Sequence, residues 1–347
     1  MSLFRRPELC RGAARGARRP RAAGALAGLL LVLPLAACTV DPPTAGAGGG
    51  DSSQPHTGPI RIAMITHGDN GGFWSTVRRG AEDAAATLPE VTLDYQGSDG
   101  DAKLQADMIN AAITQGADAL AVSAPDPGAI RGALAAADAA GIPIITLNSG
   151  SELLDEMDGV ITHVGQTERV AGVAAGEALA KEGAGKVLCI VHEENNIGLQ
   201  ERCAGAAEGM RAGDGGELVK VQVSGAADPA ATAREIGAAM DAQSPDAVLT
   251  LDPDIAAAAI KEVTARDGTL ATFDLSPDVL DAVAAGQILF AVDQQPYLQG
   301  YLPVSFLELA VRNRNEVGAG QMVATGPSLV TKENAAAVAA LSEGGTR

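Results

Sequence analysis

Ile60-Arg61-Ile62-Ala63-Met64-Ile65-Thr66, the loop His67-Gly68-Asp69-Asn70-Gly71-Gly72 and the pair Phe73-Trp74 form the stretch whose reading decides the fold. The first part is a short apolar run of strand length, the pattern of a strand buried in a parallel sheet. Residues 73–88 space their apolar side chains as a helix does. The glycine-rich loop between them is then the first βα turn of an α/β sheet. In open sheets of this kind ligands sit outside the carboxyl ends of the strands, which puts Asp69, Asn70, Phe73 and Trp74 at the expected binding position.

Downstream, the same alternation repeats. Strands are predicted over residues 91–95, 118–122 and 142–147, with helices over 101–114 and 128–140 between them. Pro125 and Pro127 stop the third strand, and Asp126 is placed to cap the helix that follows. A short strand at 160–164 and a helix at 167–181 open a second run. Its strands are predicted at 186–191, 218–223, 247–251 and 269–273, and its helices near 199–211, 229–240, 255–264 and 278–285. A strand at 288–292, a helix to about residue 312 and a terminal strand near 328–330 complete the chain. Strict alternation of strand and helix implies two doubly wound parallel sheets with helices on both faces, one in each half. A length of 347 residues suits two domains, and 3% aromatic residues suits helix-on-sheet layers.

The chain before Ile60 is expected to be an address. Seven arginines (Arg5, Arg6, Arg11, Arg15, Arg18, Arg19 and Arg21) precede an apolar segment, residues 25–35, that is too short to span a bilayer. The segment ends Leu35-Ala36-Ala37-Cys38, which resembles a bacterial lipobox, with cleavage before Cys38 and lipidation of its thiol. Residues 1–37 are therefore read as a signal peptide and 38–58, rich in Pro, Gly, Ser and Thr, as a flexible tether. An ordinary signal peptide or an uncleaved anchor is the competing reading. Removal of residues 1–37 leaves 18 basic against 42 acidic residues, a formal charge of about −24. Such a surface disfavours nucleic acid, and the plainest use of its acidity is solubility. Cys189 and Cys203 remain outside the cytoplasm on adjacent elements, where either a disulfide or two buried thiols would fit. No grouping of His or Cys has metal-site spacing, and no cofactor motif is present.

From Ile60 to Val330 the order of elements resembles the periplasmic sugar-binding proteins of the ribose-binding type, the solute receptors of ABC importers. The polar first loop with its aromatic pair is matched by Asp69, Asn70, Phe73 and Trp74. The Arg-x-x-Gly of a second-lobe helix is matched by Arg202-Cys203-Ala204-Gly205. Asp252 takes the place of a strand-end amide, Phe273-Asp274 matches a Phe-Asp, and Gln294 matches the hinge glutamine before proline. Asn148-Ser149 stands where ribose receptors carry Asp-Arg, and Ala124 where they carry asparagine, so ribose itself is not the expected ligand.

The resemblance implies the type I periplasmic binding protein fold: two doubly wound lobes joined by a three-strand hinge. It implies residues 59–162 and 295–325 in an N-terminal lobe and 163–294 and 326–347 in a C-terminal lobe. It further implies a monomer outside the cytoplasm that binds a monosaccharide or polyol and hands it to a permease, touching the membrane only through its lipid anchor. A polyol needs hydrogen-bonding groups around its rim and flat apolar surface on its faces. Asn148, Arg202, Asp252, Asp274 and Gln294 would supply the first, and Phe73 and Trp74 the second. Each has a plainer alternative. Asp69 can cap a helix, Asn70 can form a turn, Trp74 and Phe273 can be core, and His67 and His163 can be passive.

Other functions fit less well. Regulators related to sugar receptors carry a DNA-binding segment where this chain has its basic and apolar address. A dinucleotide enzyme is opposed by the glycine spacing and by bulky Phe73-Trp74 at the helix start. No nucleophile and base can be paired, so no enzyme is expected. The runner-up is a receptor for a nucleoside or signalling molecule that feeds a sensor.

Overall fold

The computed structural model describes residues 56–213, 216–225 and 228–347. The expected signal segment 1–37, Cys38 and nearly all of the tether lie outside the described residues. Two six-stranded sheets carry the fold, each flanked on both faces by apolar clusters and helices.

In the first lobe, β1 (Ile60–Thr66) is followed by α1 (Gly71–Ala86), β2 (Val91–Gly97), α2 (Ala102–Thr114), β3 (Ala119–Val122), α3 (Pro127–Ala139), β4 (Ile144–Leu147), α4 (Leu153–Glu156) and β5 (Val160–Gly165). Its strand order is β2-β1-β3-β4-β5-β11, where β11 is Val323–Ala324. β1 lies between β2 and β3 and is buried on both faces except at Arg61, as a near-continuous apolar run in a parallel sheet requires. The helices above β1 and β3 leave on opposite sides, so the carboxyl ends of these strands frame the switch point.

The second lobe repeats the plan. It runs through α5 (Glu168–Lys181), β6 (Lys186–Val191), α6 (Ile197–Ala212), β7 (Glu217–Gln222), α7 (Pro229–Gln243), β8 (Ala247–Thr250), α8 (Pro253–Thr264), β9 (Thr269–Phe273), α9 (Pro277–Ala285) and β10 (Phe290–Asp293). The strand order is β7-β6-β8-β9-β10-β12, where β12 is Ser328–Thr331. α10 (Pro296–Asn313) packs on α1 in the first lobe, and α11 (Ala335–Glu343) packs on α9 in the second. The chain thus passes between lobes three times: after β5, after β10 and between β11 and β12.

Several details differ from the sequence expectation. The first crossing lies beyond Gly165 instead of at residues 162–163, because Thr162–Val164 stay paired to β4 and Val164–Gly165 to β11. β12 is antiparallel to β10, so the second sheet is mixed. β4 starts at Ile144, after Pro143, whose missing N–H cannot serve the ladder. Unexpected elements are α4, β11 and α11. β11 is too short to show a period, and α11 (AAAVAALSE) is so rich in alanine that it shows little amphipathic contrast.

Asp126 caps α3 as anticipated, accepting from Ala129 N–H at 3.1 Å. Cys189 of β6 and Cys203 of α6 are joined by a disulfide, with Cα atoms 5.9 Å apart and a sequence separation of 14. Closing a loop of that length contributes about 3 kcal/mol in the chain-entropy account. We therefore expect thiol labelling of the unreduced, denatured protein to find neither cysteine, and reductant to lower the melting temperature.

Candidate functional site

α5 and α6 approach unusually closely. A Cβ on Gly172 would lie 2.2 Å from the Arg202 carbonyl oxygen, and one on Gly205 would lie 2.0 Å from that of Arg169. No larger residue fits either place. This contact brings Glu168, in the first turn of α5, against Arg202 of α6. Arg202 Nε donates to Glu168 Oε2 at 2.5 Å and Nη2 to Oε1 at 3.1 Å, while Nη1 donates to the Leu251 carbonyl at 3.2 Å and lies 3.5 Å from Asp274 Oδ2. The guanidinium also stacks 4.7 Å above the Phe273 ring, which is wholly buried. Phe273 is therefore a core residue that supports Arg202 from beneath.

The other polar groups project from carboxyl ends of strands. Asn148 follows β4, Asp252 follows β8, Asp274 follows β9 and Gln294 follows β10. Asn148 and Asp274 hold left-handed backbone, φ 60° and 66°, which Asn and Asp tolerate better than other side chains and which recurs at ligand sites. Gln294 links the lobes at the hinge. Its Nε2 donates to Asp274 Oδ1 at 2.8 Å, and its Oε1 accepts from Gln299 at 2.9 Å and from Asn148 at 3.3 Å. Asp252 Oδ1 accepts the N–H groups of Asp254 and Ile255, capping α8. Its second oxygen is free of hydrogen bonds among the described residues. Asp274 is almost fully buried, and burial pushes its pKa up to about 7 although Arg202 and Gln294 pull it down.

Phe73 and Trp74 enter from the start of α1. Trp74 packs edge-on against Phe73 at 5.0 Å and against His67 at 4.7 Å between centroids. Gly68 makes room for it, since a Cβ there would fall 2.1 Å from the indole nitrogen. Ser123 Oγ accepts the His67 backbone N–H at 2.8 Å and lies 2.8 Å from Nδ1. With the hydroxyl donating to Nδ1, Nε2–H faces Glu193 Oε2 across the cleft at 4.0 Å. Burial lowers the His67 pKa, which keeps the ring neutral near pH 7.

The inner cavity thus gathers Phe73, Trp74, Asn148, Arg202, Asp252, Asp274 and Gln294, with Ser149, Glu168, His67 and Glu193 beside them. Asp69 and Asn70 are not brought to it. They line the outer mouth of the cleft, where Asp69 pairs with Arg78 and Asn70 donates to Asp99 at 2.9 Å. Asn70 occupies the N-cap of α1 without a side-chain capping bond. His163 lies within the first lobe, bonded to Thr146 at 2.9 Å, and burial lowers its pKa to about 4. Sequence reasoning missed Glu168, for which a carboxylate in a first helical turn is too common a signal. The lobes touch across the cleft, the Ile197 N–H donating to the Pro125 carbonyl at 3.1 Å.

These groups can bind and enclose a small polar ring. Among the described residues no cluster of His, Cys, Asp and Glu is arranged to hold a metal. The family described as periplasmic binding protein domain matches residues 62–315. A carbohydrate transporter from Acidothermus cellulolyticus, solved in complex with myo-inositol, is similar over 83% of this chain and 100% of its own, with 39% identity and a TM-score of 0.78. An ABC transporter solute binding protein from Bacillus halodurans with bound myo-inositol shares the fold, with 22% identity and a TM-score of 0.73 over 82% of this chain and 99% of its own. The xylose/arabinose-binding protein of Sulfolobus acidocaldarius is 24% identical over 70% of this chain, which spans 64% of that protein's length. The fold and these relatives are of a non-catalytic, ligand-binding class.

Proposed function

The chain belongs to the periplasmic binding protein family, and from that premise we propose that it is the solute receptor of an ABC importer, taking a monosaccharide or cyclic polyol between its lobes. The observation that carries the reading is the enclosed set of Arg202, Asp274, Asn148 and Gln294 facing Phe73 and Trp74. Asp274 and the free oxygen of Asp252 accept from ligand hydroxyls, the amides of Asn148 and Gln294 fix the ring's orientation, and Phe73 packs on its C–H face. Arg202 has most of its donors committed to Glu168 and Leu251, so its part is chiefly to hold Asp274 and leave one or two N–H groups to the ligand. Asp69 and Asn70 act at the mouth of the cleft. The similarity to the inositol-bound transporter, at 39% identity, makes myo-inositol the first ligand to try.

Domain limits at 59–162 with 295–325, and 163–294 with 326–347, belong to this reading, with the first boundary shifted past Gly165. Closure needs a ligand that touches both lobes, and the closed form is what a permease recognises. Cys38 would carry the lipid that keeps the receptor at the outer face of the membrane.

A thermal-shift screen of myo-inositol, other polyols, pentoses, hexoses and nucleosides tests the ligand class. A ligand at 100 times its dissociation constant adds about 2.7 kcal/mol to stability. A shift with nucleosides alone would move the reading to the nucleoside receptor. For the anchor, wild type expressed in bacteria should partition into detergent and Cys38→Ala should not; equal partitioning would remove the lipoprotein claim.

A further inference from the structure

Beside the inner cavity, and sharing His67, Glu193 and Asn196 with it, lies a second compartment of about 260 Å³ between the lobes. Gln105 lines it from the first lobe and is 1% exposed. Its Nε2 donates to the Ser123 carbonyl at 2.7 Å, while its side-chain oxygen accepts no hydrogen bond among the described residues. Three carboxylates join it: Asp126 from the first lobe, Glu193 and Glu194 from the second. One Asp126 oxygen is occupied by the helix cap, which leaves the other. Asn196 has both ends of its amide committed, to the Leu199 N–H and to Glu193, so it offers the compartment little. Among the described residues no Lys or Arg lines the space.

The wall therefore presents acceptors and negative charge, and what it lacks is a cationic donor. We propose that this compartment is a subsite for a protonated amino group carried by the ligand, so that the receptor prefers an amino-substituted sugar or polyol to its hydroxyl counterpart. The proposal rests on the cleft being the sugar site. A hydroxyl satisfies Gln105 but leaves Asp126 and Glu194, which have no ion-pair partner among the described residues, without a cation. An ammonium brings three donors and the opposite charge. The same charges reject an anionic ligand such as a uronate.

Isothermal titration of the purified protein at low and at physiological salt tests this, with three sets of probes: myo-inositol against a monoamino-inositol, D-glucose against D-glucosamine, and D-glucuronate. In at least one pair the amine should bind fivefold or more tightly than its counterpart, with the advantage shrinking as salt rises. The double variant Asp126→Asn/Glu194→Gln should bind the hydroxyl compound as wild type does and lose the preference. Asparagine also caps helices well, so the variant should fold. Equal affinity within every pair, or a preference that survives in the double variant, overturns the subsite while leaving the sugar site standing. Failure of every sugar and polyol to bind, aminated or not, overturns both.

Discussion

Arg202→Ala should lose both ligand binding and a large part of the protein's stability. Removing the guanidinium leaves Glu168 and Asp274 buried without their cation, a change that typically costs about 3–5 kcal/mol when a buried pair loses one partner. Chemical denaturation measures that loss, and a midpoint within error of wild type would show the ion pair to be dispensable. Asp274→Asn separates binding from folding, because it keeps the shape and removes the charge. Its affinity for the cognate polyol should fall by at least about 2 kcal/mol, roughly 30-fold, as expected when a charged acceptor is lost. The pH dependence gives a second handle. Burial holds the Asp274 proton up to about pH 7 in the unliganded protein, against an ordinary value of 3.8. Because the folded value is raised, this group's contribution to stability is full below 3.8 and is lost as pH rises through 7. Ligand hydroxyls donate to the ionised form, so wild-type affinity should weaken by about tenfold per pH unit below 7. The Asn variant should show no such slope; a slope of equal size in both would assign the titration elsewhere.

Gly205→Val should disrupt the same site from behind. Its Cβ would meet the Arg169 carbonyl at 2.0 Å, and both are backbone-fixed, so α5 and α6 must separate. Overpacking of this kind costs about 3 kcal/mol or more where no flexible side chain can yield. Separation also pulls Glu168 from Arg202, so the surviving folded fraction should bind ligand weakly. Gly132→Ala is the matched control, as its Cβ would have nothing within 4 Å. It should leave the melting temperature and affinity near wild type, and a comparable loss there would discount helix separation as the cause.

The alternation of apolar runs made nearly every strand of both sheets legible in the sequence, because parallel strands are buried on both faces and need no partner to declare themselves. β11 was not, since two residues carry no period. Asn148, Asp252, Asp274 and Gln294 came from the resemblance to the sugar receptors, and each stands just past a strand's carboxyl end. Asp69 and Asn70 obey the same rule, yet Arg78 and Asp99 hold them at the mouth, and nothing in the loop's sequence distinguishes the mouth from the interior. Glu168 depends on two glycines, Gly172 and Gly205, far apart in sequence, whose joint effect is visible only once the helices touch. The second compartment was beyond reach for a related reason: its walls come from both lobes.

In the proposed complex a small polyol is enclosed against Phe73 and Trp74. Trp74 is the only tryptophan in the chain and stands in the cleft, so its fluorescence reports on that event alone. Titration with myo-inositol, and with each hit from the ligand screen, should change the emission saturably with one site per chain, and Phe73→Ala should weaken or abolish the response. Emission unchanged by every sugar, polyol and nucleoside offered, in a protein that unfolds cooperatively, would show that no such ligand is enclosed in the cleft.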